Sequence, residues 1–267
     1  MNPSLNYLKA FAHVSFEQLK DRVHNKNTPT LSKQEKEVVE EIKANGVSVV
    51  ENYFSKEKCD QIIGEIDRMI EEEQANIWKD KWGADTRIYA AHQHSELIKE
   101  FHHDPFLKRI GETYVNSPIL NSHTLGARLI PKESNPGSGG GWHRDSVYKI
   151  QYKSIAYLTD VNEDNGPFEY LLGTQNKKSI YQSILKNHYN AHQNRMTASQ
   201  IKDFLETNKQ YQSKIFTAKK GSLILVDTSG IHRGMPIRSG KRYALTNYFF
   251  PKHHYTKSIE NKFKKLF

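Results

Sequence analysis

Two separated segments of this chain carry metal-binding side chains at an informative spacing. GGGWHRDSVY holds His143 and Asp145, two residues apart. On an extended strand, residues i and i+2 face the same way, so an imidazole and a carboxylate can reach one ion together. The third donor must come from elsewhere, and His232 in DTSGIHRGMP, after the apolar run SLILVDT, is the candidate. Two imidazoles and one carboxylate on one face of a metal leave three positions open, the arrangement of non-haem Fe(II) oxygenases. Open positions let a bidentate 2-oxo acid and O2 bind side by side.

A His-x-Asp pair is a weak signal in a chain with 13 His. The His143-Arg144-Asp145 triplet does not read as a kinase catalytic loop, because the position five after the aspartate is Ile150 rather than Asn. A zinc hydrolase can also use two His and one Asp, but it has no need of the arginine that follows. Ten residues after His232 comes Arg242, in GKRYALTNYFF. The remote carboxylate of 2-oxoglutarate needs a fixed cation, and a guanidinium offers a planar bidentate fork. On a strand, Arg242 shares a face with Ala244 and Thr246, whose hydroxyl can join it. Arg238, in the turn PIRSGK, reads as solvated. Arg233 points away from the metal face if its segment is extended. The plain alternative for Arg242 is a cross-strand ion pair.

Around these residues lie candidates for substrate contact. The glycine-rich loop 137–141 opens beside the pair and reads either as a lid with hinge freedom or as a surface turn. Trp142 lines the pocket or packs in the core. Arg87, Tyr89, His92 and His94 in TRIYAAHQH, and Phe168 and Tyr170 after the NGP turn, are polar and aromatic candidates. Ordinary packing or solvation competes for each. An insertion at 174–217 is long enough to cover the site. Its His188 and His192 are four apart and share a face if a helix runs through them.

The elements that must position these groups change character along the chain. Residues 33–44 read as an amphipathic helix and 47–53 (VSVVENY) as a strand. Ser55 reads as the N-cap of a helix running to about residue 74. Residues 96–115 carry one more helical pattern. Cys59, the single cysteine, lies among helically spaced isoleucines and reads as a buried structural thiol. After residue 118, LGARLIP, KSIAYLTDV, SLILVDT and RYALTNYFF are β-rich and divided by the turn clusters ESNPGSGGG, NEDNG, TSG and RSGK. Residues 184–210 are more polar and helix-like. The expected architecture is a single domain over residues 1–267. It has a helical N-terminal part at 1–116 and a barrel or jelly roll at about 117–251 with helices packed outside.

The chain has 267 residues and a net charge of +9. The basic residues are scattered among acids, with the densest run in the tail at Lys262, Lys264 and Lys265. No basic stripe interleaves with aromatics, so a solvated surface is favoured over nucleic-acid binding. No apolar stretch approaches the roughly 20 residues of a membrane span, and the N-terminus lacks the pattern of a signal peptide. A soluble cytoplasmic protein is expected, its oligomeric state open.

Taken together, the segments NGVSVVENYFSKEKCDQI, GWHRDS, YLTDVNEDNGPFEYLLGTQN and GSLILVDTSGIHRG through RYALTNYFFP resemble the phytanoyl-CoA dioxygenase family over roughly residues 45–251. The resemblance implies a double-stranded β-helix (jelly-roll, cupin-like) core that uses Fe(II), 2-oxoglutarate and O2. It implies that His143, Asp145 and His232 are the iron ligands and Arg242 the 2-oxoglutarate anchor. Two positions depart from the family pattern. Gly173-Thr174-Gln175 stands where Gly-Ser-His is usual, and Ala244 stands where a hydroxyl residue is common two after the arginine. Thr159 is a second candidate for that hydroxyl. Asp145 argues against halogenation, which requires a small residue there. The implied activity is hydroxylation of a small polar or anionic metabolite with release of succinate and CO2. A prolyl-type protein hydroxylase and a non-catalytic cupin-like binding module are the alternatives. A nucleic-acid demethylase fits less well, since position 248 is Tyr rather than a second arginine.

Overall fold

A computed structural model describes residues 3–24, 29–73 and 76–264. Lys265 of the basic tail and residue 74, the expected helix end, lie outside them. Helix α1 (Pro3–His24) is followed by α2 (Lys33–Asn45), which starts at a capping box. The Ser32 hydroxyl accepts from the Glu35 N–H, and the Glu35 carboxylate accepts from the Ser32 N–H. Gly46 ends α2 at φ +86°, and a Cβ there would lie 2.3 Å from the Tyr170 hydroxyl, so only glycine fits. Strand β1 (Val47–Val50) stops short of the expected residue 53, and α3 (Lys56–Glu71) begins at the expected cap, Ser55. Loss of such a cap typically costs about 1 kcal/mol.

Strands β2 (Ile77–Lys79) and β3 (Asp85–Ile88) come next. The helical pattern at 96–115 is two helices, α4 (Glu96–His102) and α5 (Pro105–Val115). The reason is local. The Asp104 carboxylate accepts from the Phe106 N–H, and Pro105 has no N–H to continue α4. The remaining strands are β4 (Ile119–Leu129), β5 (Tyr152–Tyr157), β6 (Phe168–Leu171), β7 (Ser213–Phe216), β8 (Leu223–Asp227), β9 (His232–Gly234) and β10 (Arg242–Pro251). The insertion holds α6 (Lys177–Asn187) and α7 (Ala198–Thr207), and α8 (Lys257–Lys264) ends the described chain. Helix α6 stops at Asn187 with His188 left-handed at φ 59°, so His188 and His192 do not share a helix face.

Two antiparallel sheets face each other in a jelly roll. The larger has the order β1-β8-β5-β10-β4-β3-β2, the smaller β7-β6-β9. The strand period of two divides the central strands of the large sheet between two environments. Tyr243, Leu245 and Phe249 of β10, Tyr152 and Ala156 of β5, and Leu223 and Leu225 of β8 join the main core. There they pack against Ile42, Ile62, Ile66, Ile98, Phe101 and Leu107 of the N-terminal helices. Cys59 sits in this core, where burial pushes its thiol up to about 11, consistent with a structural role. The alternate residues face the small sheet, and between the sheets lies the cavity described next. Among the described residues no helix is long and apolar enough to cross a membrane.

Candidate active site

One cavity of about 340 Å³ lies between the two sheets. Its large-sheet wall is strictly alternating: Arg242, Ala244, Thr246 and Tyr248 from β10, Lys153, Ile155 and Tyr157 from β5, Leu125 and Ala127 from β4. The opposite wall is Phe168 of β6, His232 and Gly234 of β9, and the segment from Ser138 to Asp145.

His143 and His232 are brought together by their own backbones. Each donates its N–H to the other's carbonyl at 2.9 Å, which sets their rings side by side with centroids 4.3 Å apart. The Asp145 N–H is held by the Thr228 carbonyl at 2.9 Å. His143 Nε2 lies 3.7 Å from Asp145 Oδ1, and His232 Nε2 lies 3.7 Å from Asp145 Oδ2. Both rings are fixed by the same device. His143 Nδ1 lies 2.8 Å from the Gly141 carbonyl, and His232 Nδ1 lies 2.9 Å from the Gly230 carbonyl. A carbonyl only accepts, so each Nδ1 carries the hydrogen and each neutral ring turns a bare Nε2 lone pair toward Asp145. Burial favours those neutral rings. It lowers the His143 pKa, and with His143 alongside it pushes His232 down to about 3. Burial alone would raise the Asp145 pKa, but the Lys153 ammonium, which pairs with it, holds it well below the carboxylate range. Two neutral nitrogens and one carboxylate oxygen, converging with no acid–base rearrangement required, fit a divalent transition metal.

Arg144, between the two candidate ligands, faces the other way. Its guanidinium is fully buried and donates to the carbonyls of Thr174 and Ser229 and to the Ser179 hydroxyl. Thr174 in turn accepts the Ile231 N–H at 2.8 Å. The departure from Gly-Ser-His at 173–175 therefore joins the strand before His232 to the segment holding His143. The glycine loop is packed against β9, since a Cβ at Gly137 would lie 2.0 Å from the Gly234 carbonyl. A Cβ at Gly139 would lie 2.7 Å from the His143 ring.

Arg242 is buried in the cavity wall. Its NH1 donates to the Gly166 carbonyl, and its guanidinium stands 6.0 Å from the Tyr157 ring. Its Nε is buried with no hydrogen-bond partner, a donor left for a ligand. The cross-strand ion pair considered for Arg242 does not form. Arg238 pairs with Asp164 at the surface, and Arg233 pairs with Glu169 at 2.6 Å and lies over Trp142, away from the cavity.

Of the other sequence candidates, Arg87, Phe168 and Thr246 line the cavity. Arg87 is held by Asp85 at 2.7 Å, and the Phe168 ring lies 5.5 Å from His232. Six candidates stand elsewhere. Trp142 packs with Leu171, Met196 and Phe204, because the bridge between His143 and His232 turns the residue before His143 away from the cavity. Thr159 accepts the Tyr243 N–H, beyond the cavity end of β5. Tyr89 packs beside Leu125 and Ile237, and its ring lies 6.3 Å from His123. His92 stacks on His102 at 3.8 Å and accepts the Thr124 N–H. His94 caps a short 3-10 turn, and Tyr170 donates to the Asp227 carbonyl. Lys153, Arg195 and Tyr248 are among the cavity residues that the sequence reading did not single out. Lys153 follows β-branching and alternation into the cavity face of KSIAYLTDV, so its orientation was legible once the strand was set. Arg195 reaches the cavity only through the course of the insertion, where it bridges to His143 and donates to the Gly139 and Gly140 carbonyls.

The sequence matches the family model described as phytanoyl-CoA dioxygenase over residues 42–244. The chain belongs to the phytanoyl-CoA dioxygenase family. It is accordingly a non-haem iron oxygenase that uses Fe(II), 2-oxoglutarate and O2. No curated protein matches the sequence. Among solved structures it is similar to the non-haem alpha-ketoglutarate-dependent carbocyclase SnoK from nogalamycin biosynthesis, with a TM-score of 0.62 at 16% identity, covering 84% of this chain and 87% of that one. It is also similar to HygX from Streptomyces hygroscopicus with nickel, 2-oxoglutarate and hygromycin B bound, with a TM-score of 0.57 at 14% identity, covering 83% and 88%. EctD from S. alaskensis with bound Fe has a TM-score of 0.61 at 14% identity, covering 85% and 79%. At these identities the likeness carries the jelly-roll fold.

Proposed function

We propose that the protein hydroxylates a small anionic metabolite, with His143, Asp145 and His232 holding the ferrous ion and Arg242 anchoring 2-oxoglutarate. The observation that carries the reading is the pair of bare Nε2 atoms facing one carboxylate, with a buried, partnerless Arg242 Nε on the facing wall of the same cavity. Bound there, iron and 2-oxoglutarate supply the activation of O2 that oxidises a substrate C–H bond, releasing succinate and CO2.

The chain's own side chains do the positioning. The Gly141 and Gly230 carbonyls hold the two tautomers, so no proton must leave a ring before metal binds. Arg242 offers the carboxylate of 2-oxoglutarate a donor that needs no reorganisation. Phe168, Leu125, Ala127 and Ala244 keep water from the space between.

Charge in the lining supports the anionic class. Among the described residues the cavity is lined by four cationic side chains, Arg87, Lys153, Arg195 and Arg242, and by one carboxylate, Asp145, while the Arg144 guanidinium turns away from it. Arg144 is consumed by backbone carbonyls, Arg87 by Asp85 and Arg242 by the co-substrate. Lys153, paired with Asp145, and Arg195, whose NH1 donates to the Gly139 and Gly140 carbonyls, keep further N–H donors that can meet a substrate carboxylate or phosphate. The test is succinate formation by the Fe(II)-loaded protein with 2-oxoglutarate across a panel of matched anionic and neutral small molecules. Stimulation confined to anionic members is expected. Stimulation by neutral members alone, or by a proline-containing peptide, overturns the substrate class.

A further inference from the structure

We propose that Glu17, Asp21, His253 and His254 form a second metal site, for a divalent ion of the zinc type, that fastens the N-terminal helix to the end of β10. Glu17 and Asp21 are one turn apart on α1 and face the same side. The 3-10 turn Lys252–His254, directly after β10, presents the two histidines to them. His253 Nε2 lies 2.8 Å from Asp21 Oδ1. His254 Nε2 lies 3.2 Å from Glu17 Oε2 and 3.3 Å from Asp21 Oδ1. Two donors each about 2.0 Å from a tetrahedral ion stand roughly 3.3 Å apart. Asp21, His253 and His254 converge near that separation, and Glu17 approaches them through His254, giving a donor set of two imidazoles and two carboxylates that suits zinc.

A second observation points to a missing centre. His254 is 3% exposed and Glu17 is 8% exposed. Yet neither nitrogen of His254 and neither lone pair set of Glu17 Oε2 has a hydrogen bond. Buried polar atoms without partners are costly, and here they are aimed at one another. A cation placed among the four groups takes up two of these atoms at once, Glu17 Oε2 and His254 Nε2. The Ser117 hydroxyl, 3.3 Å from His253 Nδ1, fixes that ring with Nε2 inward, as a supporting group does for a ligating histidine.

The site shares no residue with the His143, Asp145 and His232 cluster. The first half of α1 is held by apolar contacts of Ala10 and Val14 with Ile180 and Ile184 of α6. The second half has this polar cluster instead. His254 also lines a second cavity together with Asp145, Lys153 and Tyr248. A metal there would set the position of α1 and of the β10 end beside the mouth of the active site.

The experiment is zinc titration of the full-length protein after stripping with a chelator, with bound metal counted by elemental analysis and stability followed by thermal unfolding. Wild type is expected to bind two equivalents. A His143→Ala, His232→Ala double variant is expected to bind one, and zinc is expected to raise its melting temperature by several degrees. Adding either His253→Gln or Asp21→Asn should weaken that remaining equivalent at least tenfold and remove the thermal shift. Asp21 is partly exposed, so Asp21→Asn reads the site even if His253→Gln fails to fold. The proposal is overturned if the double variant binds no zinc at micromolar concentration, or if its equivalent survives Asp21→Asn undiminished.

Discussion

The Lys153 ammonium lies 2.6 Å from Asp145 Oδ2, inside the proposed iron centre. Lys153 is buried and also sits 4.0 Å from the Tyr248 ring, so it has little freedom to leave. A cation beside a metal-binding carboxylate competes with the metal for its charge. Lys153→Met should therefore tighten binding of a divalent ion by roughly tenfold, about 1.4 kcal/mol, while raising KM for an anionic substrate. Cobalt titration and steady-state kinetics read the two effects separately. Weaker cobalt binding would mean that the ammonium orients Asp145 more than it competes.

Arg242→Gln should raise KM for 2-oxoglutarate by about a hundredfold, the loss expected for a charge-assisted pair of about 2–3 kcal/mol. Divalent metal affinity in the absence of 2-oxoglutarate should be unchanged, because no candidate ligand touches Arg242. Calorimetric titration with each ligand in turn makes the comparison.

Arg144→Met should cost stability rather than affinity for small molecules. It strands the Ser229 carbonyl in a buried setting and leaves the Thr174 carbonyl with the Ser179 hydroxyl alone. A loss of about 1–3 kcal/mol is expected, visible as a lower midpoint in urea unfolding. An unchanged midpoint would contradict the strut role assigned to Arg144.

Stability should fall as pH drops below neutrality. Burial lowers His92 to about 4, and burial with His92 nearby lowers His102 to about 3. Their folded pKa values lie below the ordinary 6.5, so the unfolded chain takes up the protons first. Their contribution is complete above pH 6.5 and is lost as pH falls toward 4. Urea unfolding between pH 7 and 5 should show this slope, above the range where carboxylates titrate. His102→Asn should make it shallower, the rest of the slope belonging to His92, His123 and His232, and an equal slope in that variant would contradict the assignment.

Much of the site was legible because its parts are local. His143 and Asp145 face together by the strand period, and Arg242 reaches the cavity by the same rule on β10. Ser55 caps α3 by side-chain chemistry that three adjacent residues decide. The Asp104–Pro105 break was written in the sequence too, as an N-cap followed by a proline, although the apolar spacing of 96–115 masks it. Other features depend on distant pairing. Trp142 goes to the core because His143 pairs with His232 rather than extending a regular strand. Arg195 enters the cavity through the turn between α6 and α7, which no periodicity describes. The meeting of Glu17 and Asp21 with His253 and His254 joins opposite ends of the chain.

The most direct test of the account is the visible charge-transfer absorption formed when Fe(II) and 2-oxoglutarate bind together without O2. The wild-type protein is predicted to develop this band at one equivalent of iron, with Arg242→Gln requiring far more 2-oxoglutarate and His143→Ala or His232→Ala giving no band. A band of full intensity in His143→Ala, or none in the wild-type protein, would contradict it.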